Sequence, residues 1–115
     1  MDIALSRGDI VICALQGDYG KPRPGVIVQS NFFNPTHASI TLCPITTHLI
    51  DAPLFRLAIP PSKHNGLLQT SQIMIDKITT LHTDKLRQKI GALSTEQQHH
   101  LNHALKIWLN LVIDL

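Results

Sequence analysis

Residues 8–29 read GDIVICALQGDYGKPRPGVIVQ, and this stretch decides the fold class. Residues 10–15 form a continuous apolar run of the length and β-branched content that is typical of a buried strand. Residues 16–25 are dense in glycine and proline, which excludes a helix or a central strand and predicts a loop. Residues 26–29 are a second short apolar run. The stretch therefore predicts two strands joined by a loop.

Further short strands follow, each bounded by turn residues. The sequence predicts them at residues 39–43, 54–59, 71–75 and 78–81, with residues 45–48 as a strand end or loop. Many short strands at this spacing indicate a small barrel or sandwich.

The last part of the chain changes to helical periodicity. Ser94 and Gln97 match a capping box, with Ser94 as the N-cap. Apolar residues then recur at helical spacing, at Leu101, Leu105, Trp108, Val112 and Leu115. The apolar stripe is so wide in the last turns that we expect a second subunit or the chain's own sheet to cover it. The sequence thus predicts a mostly β protein with a C-terminal α-helix.

Composition limits the function classes without choosing among them. The 115 residues fit one domain, residues 1–115, and 43% hydrophobic with 16% charged residues is a globular balance. A formal charge of +2 is compatible with a nucleic-acid partner but does not indicate one. No apolar run approaches the ~18 residues of a membrane span, and the start of the chain lacks a signal-peptide pattern. We therefore expect a cytoplasmic protein without membrane contact.

The chain has two cysteines, Cys13 and Cys43. Both lie in apolar runs, so we expect their thiols to be buried.

Taken in order, the segments resemble a known family over almost the entire chain. The matching motifs are Arg7-Gly8-Asp9-Ile10-Val11, Arg23-Pro24 before Val26-Ile27-Val28, Pro44-Ile45-Thr46, Ser71 with residues 73–78, and Ile90-Gly91-Ala92-Leu93-Ser94 before the Leu-rich helix. Their order and spacing are similar to those of the MazF/PemK toxin family.

The resemblance implies a small SH3-like barrel of the MazF/CcdB type, paired as a homodimer. Members of the family cut single-stranded RNA without a metal, which leaves a 2′,3′-cyclic phosphate and a 5′-hydroxyl. It therefore implies a sequence-specific endoribonuclease that needs no cofactor. Its partners would be single-stranded RNA and a cognate antitoxin, whose disordered tail folds onto the toxin and blocks the RNA face.

Such cleavage needs charge stabilisation at phosphorus, a base for the 2′-hydroxyl and an acid for the leaving 5′-oxygen. Arg23 carries a permanently charged guanidinium that can bind two phosphate oxygens at once. It lies between two prolines, which restrict its backbone. By the resemblance it is the main catalytic arginine. Thr46, with Thr47 as the alternative in register, matches the hydroxyl residue that follows the third strand, and a hydroxyl can donate to a phosphate oxygen.

The sequence does not decide which residues act as the base and the acid, and three residues are candidates. Asp18 lies in the same loop as Arg23, where many relatives carry an acidic residue, and Asp76 matches an acidic position used in part of the family. His48 follows Thr46 by two residues and titrates near neutrality, so it suits either proton role.

RNA contacts are expected from the basic residues of one face and from one aromatic ring. The candidates are Lys21, Arg23, Arg56, Lys63 and Lys77 for phosphates, and Tyr19 for stacking. The chain departs from the family pattern at Met74, where some relatives have a second arginine, and at Lys77, where glutamine is frequent.

Two other functions remain as alternatives. A gyrase-binding toxin of the CcdB type has the same fold and a tryptophan near the chain end, which Trp108 matches loosely. A catalytically silent homologue that only binds antitoxin would keep the fold and lose the chemistry.

Overall fold

The computed structural model of the protein describes residues 4–15 and 21–111. Within them lie seven strands and one α-helix: β1 (Asp9–Ala14), β2 (Pro22–Ile27), β3 (Ser39–Thr46), β4 (Arg56–Ile59), β5 (Ser71–Met74), β6 (Thr79–His82), β7 (Leu86–Ala92) and α1 (Thr95–Trp108). Single 3-10 turns at Ile75–Lys77 and Thr83–Lys85 precede β6 and β7 by a residue or less. The predicted fold class, mostly β with a C-terminal helix, is confirmed.

All strand pairs are antiparallel, in the order β4-β5-β3-β2-β1-β7. β3 pairs with β2 and with two further strands. Its first half pairs with β6, and its last two residues pair with β5. Over the described residues β4 and β7 do not pair with each other, so hydrogen bonds do not close the sheet into a barrel.

Two hydrophobic cores lie on opposite faces of the central strands. Alternate residues of β1, β2 and β3 point to each face, which explains why β1 is apolar throughout. The face toward α1 includes Ile10, Val26, Cys43, Leu101 and Leu105, and the other includes Val11, Cys13, Ile27, Leu42 and Leu86. Both cysteines are buried as predicted, and burial raises the pKa of the Cys43 thiol to about 12.

The prediction of a loop over residues 16–25 is wrong for its last four residues, which begin β2. Pro22 and Pro24 lie opposite Ala14 and Ile12 of β1, whereas pairing with β3 starts only at Gly25. Within residues 4–15 and 21–111, one edge of the proline segment is therefore without a strand neighbour. Proline is tolerated in such a position because its missing N–H breaks no ladder there.

The sequence did not predict β7. Only Leu86 of this strand is buried, and Arg87, Gln88 and Lys89 are all exposed, so the strand has no alternating apolar pattern. It forms because β1 offers an open edge, although the pairing contains two register shifts. The ammonium of Lys89 also lies 3.2 Å from the buried carboxylate of Asp9.

The helix begins where the capping box predicts. The Ser94 hydroxyl accepts a bond from the Gln97 N–H at 3.1 Å, and the Gln97 side chain accepts one from the Ser94 N–H at 2.9 Å. The regular helix ends at Trp108, and Asn110 has a φ of 56°, the left-handed conformation common after helices. Val112 and Leu115 of the predicted stripe lie outside the described residues. In the described part of the chain no helix is long and apolar enough to cross a membrane.

The motif Arg7-Gly8-Asp9 has a structural role. Arg7 donates to the carbonyl of Val28 at 2.8 Å and to the side chain of Asn102 in α1, so it joins the helix to the sheet. Gly8 has a φ of +93°, and a Cβ there would lie 2.6 Å from the side chain of Gln98.

Candidate active site

The pairing of β2 with β3 brings the two leading catalytic candidates together. Gly25 lies opposite Pro44, and Ile27 lies opposite Leu42. Arg23 comes two residues before Gly25, and Thr46 comes two residues after Pro44. Both therefore lie just beyond the paired stretch, near the start of β2 and at the end of β3.

A cleft of about 270 Å³ lies at this end of the sheet. Its polar lining consists of Arg23, Thr46, Thr47 and His48, and its apolar lining of Leu15, Pro44, Ile45 and Met74. A small cleft with an apolar floor and a few converging polar groups is the usual form of a ligand site.

Thr46 ends β3 and begins a tight turn. Its Oγ1 accepts a hydrogen bond from the backbone N–H of His48 at 3.0 Å. A hydroxyl carries one proton of its own, so Thr46 can still donate to a phosphate oxygen while it accepts this bond. The same turn exposes His48 at the mouth of the cleft. Thr47 lines the cleft too, so both register alternatives for the hydroxyl group remain.

Arg23 is exposed, which suits a side chain that must reach the phosphate backbone of a ligand. Its main chain is fixed by pairing with Cys13 in β1, and its carbonyl accepts a bond from the Cys13 thiol at 3.4 Å. The flanking prolines restrict φ on both sides. A permanent cation on a rigid strand is the group that phosphoryl-transfer chemistry requires.

Asp76 and Arg56, both singled out from the sequence, bind each other. The guanidinium of Arg56 donates to the two carboxylate oxygens of Asp76 at 2.8 and 3.0 Å. Arg56 and Asp76 retain 11% and 16% of their side-chain exposure. The hydrogen bonds from Arg56 lower the pKa of Asp76, which makes it a weak base. Asp76 also lies outside the set of described residues that line the cleft, so its contacts favour a structural role.

The lysine candidates lie in three different places. Lys21 is exposed and immediately precedes β2, two residues from Arg23. Lys77 lines a second cleft of about 460 Å³, which shares Leu15, Pro44 and Met74 with the first and therefore lies beside it.

Lys63 lies at the other end of the sheet. Its loop donates no residue to the cleft lining, and the carbonyl of the neighbouring His64 accepts a bond from Ala92. Ala92 pairs with Asp9 at the start of β1, whereas Arg23 pairs near the end of β1. Asp18 and Tyr19 lie outside the described residues.

The sequence analysis noted Met74 only as a departure from the family pattern and did not single out Gln72. Met74 lines both clefts, at the end of β5, the strand that pairs with the end of β3. Gln72 is a buried amide opposite Thr46. One feature of the sequence could have identified Gln72. It is a polar residue inside the apolar strand predicted at residues 71–75, and a buried amide needs a hydrogen-bond partner.

A sequence model of the family described as "PemK-like, MazF-like toxin of type II toxin-antitoxin system" matches residues 6–109. The chain is 41% identical over 108 residues to a probable endoribonuclease MazF of Mycolicibacterium smegmatis, covering 93% of this chain and 98% of that protein. It is 30% identical over 112 residues to the endoribonuclease MazF of Staphylococcus saprophyticus, covering 93% and 92%.

Solved structures agree with the sequence relatives. A mycobacterial endoribonuclease in complex with its cognate antitoxin superposes with a TM-score of 0.80 at 28% identity, covering 95% of this chain and 98% of that one. The Mycobacterium tuberculosis toxin MazF-mt6 superposes with a TM-score of 0.77 at 26% identity, covering 89% and 96%. The paired strands, the terminal helix and the sequence match lead to one conclusion: this chain belongs to the family of PemK-like, MazF-like toxins of type II toxin–antitoxin systems.

Proposed function

We propose that this protein is an endoribonuclease toxin that cuts single-stranded RNA at the cleft between β2 and β3. The observation that carries the proposal is the cleft whose lining Arg23 shares with Thr46 and His48. Relatives that match more than nine-tenths of the chain are named as endoribonucleases. A CcdB-like action on gyrase is not favoured, because the family model and the relatives that match the chain are those of MazF-like toxins, and the relatives are named as endoribonucleases.

The proposed step is an internal displacement at phosphorus that needs no metal. The 2′-oxygen of the substrate attacks the neighbouring phosphorus and loses its proton to a base, while the bond from phosphorus to the 5′-oxygen breaks and that oxygen gains a proton from an acid. The products are a 2′,3′-cyclic phosphate and a 5′-hydroxyl. Arg23 stabilises the charge that develops on the phosphate oxygens, and Thr46 donates to one of them.

His48 lines the cleft, and its imidazole nitrogens can accept or donate a proton, so it is our first candidate for a proton-transfer role. Asp18 remains the second candidate on the grounds of family position. Asp76 fits this role less well, because its carboxylate is already bound by Arg56. The partner that would silence the toxin is an antitoxin with an acidic, apolar-rich tail, which we expect to compete with RNA for the cleft in the cytoplasm.

The test is cleavage of a long, mostly unstructured RNA in EDTA, with the new ends mapped. We expect cuts at a short recurring sequence with 5′-hydroxyl ends, and a loss of about 100-fold or more in rate for Arg23→Ala. The matched control is Arg87→Ala, since Arg87 is an exposed arginine of β7 that donates to the Asp84 carbonyl at 2.9 Å. Intact RNA with the folded wild-type protein would overturn the proposal and favour a silent homologue.

A further inference from the structure

The side chain of Gln72 is buried beside Thr46 and is not among the residues that line the cleft. Gln72 is the second residue of β5 and only 9% exposed. It lies opposite Thr46 on one side and Ala58 on the other. A buried amide costs free energy unless its donors and its acceptor are satisfied, so its partners indicate what it does.

Both ends of the Gln72 amide bind the backbone of a single residue, Ile50. Its Nε2 donates to the Ile50 carbonyl at 2.8 Å, and its Oε1 accepts from the Ile50 N–H at 3.1 Å. The segment after β3 is thereby attached at two points. The Thr46 hydroxyl binds the N–H of His48 at its start, and the Gln72 amide binds Ile50 at its end.

This attachment matters because side-chain packing contributes little in the segment. Thr47 and His48 are exposed, and Leu49 and Ile50 remain 51% and 39% exposed. A segment with few buried contacts opens easily unless hydrogen bonds fix it.

We propose that Gln72 is a positioning residue, which sets the distance of Thr47 and His48 from Arg23 across the cleft. The inference rests on the proposed function, because it concerns the rate of the same cleavage. Arg23 is held on β2 by pairing with β1, whereas the attachment at Ile50 comes from β5, so we expect phosphate binding to stay intact when Gln72 changes. A change at Gln72 should instead slow proton transfer, because the acid or base must lie within hydrogen-bond distance of the substrate oxygen that gains or loses the proton.

The chain contains a matched control in Gln29. Its Nε2 donates to the Ser39 carbonyl at 3.2 Å, and its Oε1 accepts from the Thr41 N–H at 3.1 Å. Gln29 thus also binds one backbone carbonyl and one backbone N–H, but those of two residues in the first half of β3. Thr41 is five residues from Thr46, which is about 17 Å along a strand.

The first experiment compares Gln72→Met with Gln29→Met, because methionine keeps the volume and removes both bonds. We expect kcat to fall about 10- to 100-fold for Gln72→Met with KM within about twofold, since misplacing a catalytic group costs rate rather than binding. Gln29→Met keeps the wild-type kcat, and thermal unfolding places the two variants at similar stability. Equal kcat losses in both variants, or a wild-type kcat in Gln72→Met, would overturn the inference.

The second experiment does not depend on cleavage. Hydrogen exchange of the Ile50 amide is slow in the wild type if Gln72 accepts from it, and fast in Gln72→Met. Gln72→Glu keeps the acceptor and loses the donor, so it restores part of the protection and part of kcat. Exchange of Ile50 at the rate of an open chain in the wild type would overturn the inference even if the enzyme cuts RNA. A wild type that protects Ile50 and leaves RNA intact would overturn the proposed function instead.

Discussion

The carboxylate of Asp76 has a lowered pKa, and its largest cause is the hydrogen bond from Arg56. Both of its oxygens accept from Arg56, and this contact lowers its pKa from the ordinary value of 3.8. The pair joins β4 to the 3-10 turn after β5, next to Met74 and Lys77 at the clefts. Its effect on the protein should therefore appear first in stability, with a defined dependence on pH.

We expect Asp76→Asn to lower the free energy of unfolding at pH 7 by about 2 kcal/mol, the scale of a hydrogen-bonded charge pair. A carboxylate whose pKa is depressed by folding stabilises the protein above its unfolded pKa, and this stabilisation is lost as the pH falls through the folded pKa. The difference between wild type and variant should therefore shrink below about pH 4. Urea unfolding across this range measures it.

The control for Asp76→Asn is Asp84→Asn. Asp84 lies 3.0 Å from His82, but the two side chains are 71% and 60% exposed, so this pair should change stability by less than about 0.5 kcal/mol. A difference for Asp76→Asn that stays constant down to pH 3, or that is absent at pH 7, would contradict the assignment.

The sequence predicted which residues lie at the site better than it predicted which side chains bind each other. Arg23 and Thr46 came from the family resemblance, and the β2–β3 register brings them together. Arg56 and Asp76 were separate candidates, because nothing in the sequence showed that positions 20 residues apart bind each other. Such partners depend on which strands become neighbours, and local patterns do not contain that information.

At the scale of elements, the connection between β4 and β5 depends on one buried amide. Asn65 is 1% exposed, accepts from the N–H groups of Ser62 and Leu67 at 3.0 and 2.9 Å, and donates to the Pro60 carbonyl at 2.8 Å. The next residue, Gly66, has a φ of +72°, and a Cβ there would lie 2.1 Å from the Ile90 carbonyl oxygen. The connection thus packs directly on β7.

Asn65→Ala should lower the free energy of unfolding by about 3 kcal/mol, because three hydrogen bonds are lost and buried backbone groups lose their partners. Gln69→Ala, an exposed residue of the same connection, serves as the control and should change little. Denaturant unfolding at pH 7 measures both. A loss below about 1 kcal/mol for Asn65→Ala would show that water replaces the amide.

The elements that the sequence predicted are those whose pattern is local. β1 has its apolar run and α1 has its capping box, and both begin where expected, but α1 ends at Trp108 although the predicted apolar stripe runs on to Leu115. β7 and the start of β2 lack such patterns, since β7 is mostly exposed and residues 22–25 contain two prolines. Both form because β1 lies between them and supplies a strand partner on each side.

At the scale of the whole molecule, the end of α1 leaves large apolar side chains in water. Trp108, Leu109 and Leu111 are 45%, 48% and 66% exposed and follow one another in the chain. A 115-residue chain buries a limited core, so covering this patch by association is favourable. The family resemblance predicts a homodimer, so we expect a second copy of the chain to cover this patch.

We therefore expect the double substitution Leu109→Glu with Leu111→Glu to halve the molar mass measured by light scattering. Two carboxylates in a buried interface lose their hydration without gaining a partner, which opposes pairing. Both side chains are exposed in the single chain, so the folded subunit should keep its helix content and its thermal unfolding. Leu68→Glu is the control, because Leu68 is 94% exposed in the connection between β4 and β5, away from α1's end. A dimer that survives the double substitution would place the subunit interface elsewhere, and the patch at Trp108 would then be open to the antitoxin.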